Sequence, residues 1–196
     1  FFVILQHHSL VKGRITNDHT IIYVMTKLYP VRQGETVANA AQILQGWQGG
    51  ELNETGKAQA REVAAKMKDT EIDAFVASDL HRAIQTCTII AAAHGVKPED
   101  IATTPLLRER DWGSFTGKFI PDLEHAEWPD DVESLEHMKS RAQNFLTWIK
   151  VTYPDQTVLA VGHGIINKAI QSVYFKKPMN EIQKMMNAEV RVLLLD

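Results

Sequence analysis

The chain has 196 residues, of which 44% are hydrophobic and 23% charged, which excludes a disordered polymer and leaves room for one compact α/β domain. A formal net charge of −3 removes any global field toward nucleic acid or anionic lipid, so neither partner is expected and an anion site would need locally gathered cations. No apolar run approaches the ~20 residues of a membrane span, and the single cysteine, Cys87, rules out an intramolecular disulfide and suits a reducing, cytoplasmic setting.

Residues 1–24 carry no sustained helical or strand period, and the first methionine, Met25, directly precedes the first regular strand pattern. They read as an N-terminal extension of non-native or upstream origin before a single domain over 25–196. The competing reading is an extra edge strand, Thr20 to Val24. His7, His8 and His19 lie in this segment without a set of ligands at metal spacing, so no metal is expected there.

Lys27 to Val31 reads as a strand running into Arg32-Gln33-Gly34-Glu35-Thr36, with Thr36 capping a helix through Ala38, Ala40, Ala41 and Leu44. Gln45 to Asn53 is a glycine-rich loop, and a helix follows from Asn53 or Thr55 through Val63, Ala64 and Met67. Ile72 to Ala77 is a strand, and Ser78-Asp79 can cap a helix over Leu80 to His94 that Gly95 ends. Within that helix Cys87 reads as a small core residue.

Ile101 to Leu106 is a weaker strand, Leu107 to Gly117 a loop, and Ile120 to Pro129 irregular or briefly helical. Val132 to Thr152 reads as a long amphipathic helix with Leu135, Met138, Phe145, Leu146 and Ile149 inward. Thr157 to Val161 is a strand buried on both faces, and Gly162-His163-Gly164 turns into a helix through Ala169, Ile170 and Val173. Asn180 to Met186 reads as a short helix and Val190 to Leu194 as a last strand open to antiparallel pairing. The alternation predicts a mainly parallel sheet with helices on both faces.

Ligands of such sheets bind beyond the C-terminal strand ends. Those places hold Arg32, Arg82, Glu109 and His163. Two arginine forks suit phosphate oxygens, and glycine-exposed amides such as those of Gly34 and Gly164 add donors. Arg82, in the first turn of a helix, opposes the helix dipole, which makes a simple structural role less comfortable. The expected partner is a small phosphorylated substrate or inorganic phosphate, with no cofactor and no metal. His81, His94, His125 and His137 read as surface residues. Trp47, Trp112 and Trp128 read as a pocket mouth, and Trp148 as helix packing.

Arg32-Gln33-Gly34-Glu35-Thr36 with Asn39 resembles the R-H-G-E-T-x-x-N signature of the histidine phosphatase superfamily, which includes cofactor-dependent phosphoglycerate mutases. The resemblance continues in order through Gln45-Gly46-Trp47, Leu52 to Gly56, Ser78 to Ala83, Glu109 with Trp112 to Gly117, and Gly162-His163-Gly164. It implies a three-layer α/β/α sandwich, phosphoglycerate mutase-like, acting on small phosphate monoesters through a phosphohistidine. It further implies phosphate binding by Arg32 and Arg82, and substrate contacts at Asn39, Gln45, Gly46 and Gly164. Glu109 would be the proton donor and acceptor, and His163 would stabilise charge on the transferring group. The stretch from Met25 to Asp196 is short for the mutases, which favours hydrolysis over transfer.

Two residues depart from the pattern. Gln33 stands at the nucleophile position, and a carboxamide nitrogen, its lone pair delocalised, is a poor nucleophile that can still hydrogen-bond phosphate. Loss of a nucleophile costs on the order of a millionfold in turnover, so a severely impaired phosphatase, or a phospholigand-binding module without turnover, is expected. Pro30 falls within a strand that the family places centrally, where proline cannot donate to a ladder.

Overall fold

The computed structural model describes residues 13–15, 21–23 and 25–196. Strands β1 (Gly13–Ile15) and β2 (Ile21–Tyr23) pair antiparallel in a two-stranded sheet of their own. The strand anticipated over Thr20 to Val24 is therefore seen at Ile21–Tyr23, partnered by β1 and not by an edge of the main sheet, and its end residues, with His7, His8 and His19, lie outside the described residues.

The main sheet has five strands in the order β5-β4-β6-β3-β7. Strands β3 (Thr26–Arg32), β4 (Ala74–Ser78), β5 (Ala102–Thr104) and β6 (Thr157–Gly162) run parallel, while β7 (Leu193–Leu195) pairs antiparallel with β3. Side chains alternate across the pleat into two cores. Leu28, Val76, Val158 and Ala160 meet helices α4 (Leu135–Thr152) and α5 (Gly164–Phe175) on one face. Tyr29, Val31, Phe75, Ala77, Leu159 and Val161 meet α2 (Glu54–Met67) and α3 (His81–Ala92) on the other. This is the expected three-layer α/β/α arrangement. Cys87 is fully buried in the second core. No helix among the described residues is long and apolar enough to cross a membrane.

Pro30 does sit inside β3, and the register explains how it is accommodated. Thr26–Leu28 pair with Leu193–Leu195 and Val31 bridges Val190, so Pro30 faces Arg191. The Arg191 N–H donates to the Pro30 carbonyl at 3.1 Å, and the reciprocal bond has no donor. The ladder is interrupted there, on the side of the short edge strand rather than the side of β6.

Several boundaries differ from expectation. The helix after Thr36, α1, spans only Val37–Ala40. Thr36 and Asn39 close a capping box, and the C-terminus is sealed by Gln42 N–H to Asn39 O at 3.1 Å and Ile43 N–H to Ala38 O at 2.8 Å, with Gln42 at φ +55°. That closure normally announces itself by glycine, which is missing here. Neither Ser78 nor Asp79 caps α3, whose N-cap is Leu80 without a side-chain bond, because Asp79 is taken by Arg108. The long helix starts at Leu135, capped by Ser134, and Leu135 is 42% exposed, since periodicity fixes a helix face but not how far the core extends along it. Asn180 to Met186 makes only a 3-10 turn at Met179–Glu181 before running extended.

Candidate functional site

The C-terminal ends of β5, β4, β6 and β3 lie side by side, and each delivers part of one cluster. β3 ends in Arg32 and leads to Gln33, β4 leads to Arg82 in the first turn of α3, and β6 leads through His163 into α5. β5 leads through a 3-10 turn (Pro105–Leu107) to Glu109.

Arg82 is 1% exposed. Its Nη1 donates to the Gln48 carbonyl at 2.8 Å and its Nη2 to the Gly46 carbonyl at 2.7 Å, while Nε is buried without a partner. Gly46 reaches this pose at φ +53°, where a side chain would be strained. Burial lowers the Arg82 pKa to about 10, partly opposed by Glu109. Arg32 donates from Nη1 to the Met185 carbonyl at 2.7 Å and also keeps a buried Nε without a partner. Burial lowers its pKa too, against the pull of Glu109 and Glu189.

Gln33 is buried, its N–H donating to Gly162 O at 3.0 Å and its carbonyl accepting from Asn187 Nδ2 at 3.1 Å. The Ala188 N–H bonds the carbonyls of Arg32 and Gln33 from a backbone at φ +56°. The Gln33 Oε1 has no partner, and a half-turn of the carboxamide would present NH₂ in its place. His163 is fully buried with both ring nitrogens unpartnered. Burial, then Arg82, Arg32 and Arg141, hold its pKa well below 6.5, so the ring is neutral.

Glu109 reaches from the loop to the N-terminus of α5. Its Oε1 accepts the N–H groups of Arg110 at 2.9 Å, Ile165 at 3.0 Å and Ile166 at 3.2 Å. A Cβ built on Gly164 would meet Arg32 Nε at 3.5 Å and Glu109 Oε2 at 3.6 Å, so this glycine lies where acid and arginine converge. Gln45 donates to Thr36 Oγ1 at 2.8 Å and leaves its buried Oε1 unpartnered. Asn39 spends its Oδ1 on the Thr36 N–H and, at 3.4 Å, on Asn187 Nδ2.

Around this cluster Trp47 donates from Nε1 to the Glu109 carbonyl at 2.7 Å, and Arg108 lies 4.8 Å over its ring. Arg110 sits between the rings of Trp112 and Trp128, 4.9 Å from each. Trp148 packs against Phe145 and Tyr153. His81, His125 and His137 are exposed, and His94 is half-buried against Phe75.

Sequence reasoning missed Met185, Asn187 and Ala188, which hold Arg32 and Gln33 from the far end of the chain. It also missed Thr86, whose Oγ1 accepts the Gly34 N–H at 3.1 Å, and Asn167, whose Nδ2 donates to Val31 O at 3.0 Å. Arg141, a charge at an inward position of an apolar stripe, was a readable signal that drew no attention. Unpartnered buried donors from two guanidiniums and an imidazole, rimmed by a carboxylate, form a concave receptor for a small anion.

Residues 28–196 match the model of the histidine phosphatase superfamily (branch 1). The chain is 32% identical over 183 residues to phosphoglycerate mutase-like protein 4 of Arabidopsis thaliana, covering 84% of this chain and 77% of that one. It is 35% identical over 144 residues to the uncharacterized phosphatase PhoE of Bacillus subtilis (strain 168), covering 71% and 72%. A solved structure of a histidine-to-alanine mutant of phosphoserine phosphatase from Entamoeba histolytica, in complex with phosphoserine, superposes with a TM-score of 0.72 at 25% identity, covering 84% of this chain and 88% of that one.

Proposed function

The chain belongs to the histidine phosphatase superfamily, and from that premise we propose that its site holds the phosphoryl group of a small phosphate monoester, with covalent turnover blocked by Gln33. The observation that carries this is the meeting of Arg32, Arg82 and His163 on one rim beside Glu109, each with a buried nitrogen lacking a partner. Phosphoryl transfer is mainly positioning and stabilisation of charge on the equatorial oxygens, and two cationic forks with an imidazole supply both.

With histidine at position 33, the reaction is a double displacement. The imidazole nitrogen attacks phosphorus, the bond to the ester oxygen breaks, and that oxygen takes a proton from Glu109. Water then attacks the phosphohistidine, gives its proton to Glu109, and the P–N bond breaks to release phosphate and the imidazole. Gln33 has no free nitrogen lone pair for the first step, whereas its carboxamide can hydrogen-bond a phosphate oxygen.

Gln33 also favours a second reading, a phospholigand-binding module without turnover. The Entamoeba histolytica relative offers a precedent: its histidine-to-alanine mutant is in complex with phosphoserine.

The test is turnover of an aryl phosphate by the chain as it stands and by Gln33→His, side by side, with phosphate affinity measured by calorimetry. Turnover by Gln33→His alone, with acid-labile phosphate trapped on the introduced imidazole, is the expected result. Binding by both proteins without turnover selects the module. Absence of binding by either at millimolar phosphate overturns both readings.

A further inference from the structure

Arg141 is the one charged residue among the buried positions of α4, whose other buried side chains are Met138, Ala142, Phe145, Leu146 and Ile149. Its guanidinium is spent almost entirely on the loop that carries Glu109. Nη1 donates to the carbonyls of Leu106 and Arg108, both at 3.0 Å, and Nη2 to the carbonyl of Glu109 at 3.2 Å. The remaining face pairs with Glu133, Nε to Oε1 and Nη2 to Oε2, each at 2.8 Å.

Glu133 extends the grip. Its carboxylate accepts the Asp111 N–H at 3.1 Å and its carbonyl accepts Arg110 Nε at 2.7 Å. The Glu133 pKa is lowered; burial alone would raise it, but Arg141, the Asp111 amide and His137 outweigh that. The backbone from 106 to 111 is thus held by two residues that never reach the anion cluster.

We propose that Arg141, braced by Glu133, is a positioning residue that fixes the backbone of Glu109 so that its carboxylate lands on the Ile165 and Ile166 amides at the rim. Stability alone is a weak explanation for the charge. A buried ion pair is commonly matched or bettered by apolar residues of similar volume. A planar fork can gather several carbonyls in one geometry, which no apolar residue can do. The three carbonyls turned in toward α4 leave the Glu109 side chain to face β3 and α5. Trp47 Nε1 grips the same Glu109 carbonyl from the opposite side at 2.7 Å.

The catalytic consequence rests on the reading of Glu109 as the proton-transferring group, whereas the placement of the carboxylate does not. Two measurements keep these apart. Amide exchange on the full chain and on Arg141→Lys reads the placement without any turnover. The Arg110, Ile165 and Ile166 amides are expected to exchange about tenfold faster, the equivalent of one ordinary hydrogen bond, with the amides of β6 unchanged. Unchanged rates at Ile165 and Ile166, or equal acceleration throughout the core, overturn the proposal.

The second measurement compares kcat for para-nitrophenyl phosphate and for an unactivated alkyl phosphate, in Gln33→His with and without Arg141→Lys. A general acid contributes ~10²–10⁴-fold. Arg141→Lys should therefore slow the alkyl ester about 100-fold, and the nitrophenyl ester, whose leaving group departs without a proton, far less. Equal losses on both esters overturn positioning in favour of a structural role. If Gln33→His turns over neither ester, the phosphohistidine reading fails, and the exchange rates alone decide Arg141. Should Arg141→Lys not fold, Glu133→Gln removes the brace while keeping its shape and gives the same two readouts.

Discussion

Arg82 Nη2 donates to the Gly46 carbonyl at 2.7 Å, tying the first turn of α3 to the loop before α2 and leaving Nε as the part of the fork that faces the site. Arg82→Lys cannot hold two carbonyls and present a third donor in the same plane. Removing one partner of a buried charged contact costs about 2–5 kcal/mol, so phosphate affinity should fall at least about 30-fold. Isothermal titration of phosphate into both proteins checks this. An unchanged dissociation constant would remove Arg82 from the anion site.

His163 sets the pH behaviour. Its folded pKa lies below the 6.5 of a free imidazole because of burial and the neighbouring arginines. Between those two values the unfolded chain binds a proton that the folded one refuses. The contribution of His163 to stability is therefore complete above pH ~6.5 and lost as pH falls toward the folded pKa, by at most about 1.4 kcal/mol per pH unit. His94, lowered by burial, acts with the same sign. Tm should drop between pH 7.5 and 5.5 and drop less in His163→Asn. A bound phosphate dianion, which favours the protonated ring, should narrow the loss.

Gly34 and Gly56 meet backbone to backbone. A Cβ on Gly34 would lie 2.5 Å from Gly56 O, and one on Gly56 would lie 2.0 Å from Glu35 O. Neither neighbour is a side chain that can swing away. Gly34→Ala and Gly56→Ala should each cost about 1–3 kcal/mol or more, read as a lower urea midpoint. Gly49→Ala, where a Cβ meets nothing within 4 Å, is the control.

Cys87 is fully buried, its thiol pushed up to about 12 by desolvation. A thiol reagent should label the native protein only through unfolding, at least about a thousandfold more slowly than the urea-unfolded chain. Fast labelling at neutral pH would place Cys87 outside the core.

Much of the architecture was legible because the physics behind it is local. The alternation of Leu28, Tyr29 and Val31, and of Val158, Leu159, Ala160 and Val161, announces a sheet buried on both faces. Arg32, Arg82, Glu109 and His163 were found by asking what lies past strand ends, a rule that needs no contacts. What stayed hidden depended on partners distant in sequence. Asp79 has the side chain and position of a helix cap, yet a bidentate pair with Arg108 takes it elsewhere. Met185, Asn187 and Ala188 act through backbone groups or an amide that no motif marks. Pro30 looked wrong only because a strand's two edges cannot be told apart in sequence, and its silent edge faces the break in β7.

That last segment has a consequence in time. Arg32 and the Met185 carbonyl that steadies it are 153 residues apart, and Gln33 and Asn187 are 154 apart. Contacts of such separation form late, after loop-closure entropy has been overcome by the sheet. During synthesis the chain therefore carries Arg32, Arg82, Glu109 and His163 outside the ribosome before residues 185–190 arrive to hold the first two positions of the cradle. A nascent chain stalled ahead of Met185 should be a folded sheet with an unfinished receptor, and the ligand would first be captured when the final turn docks.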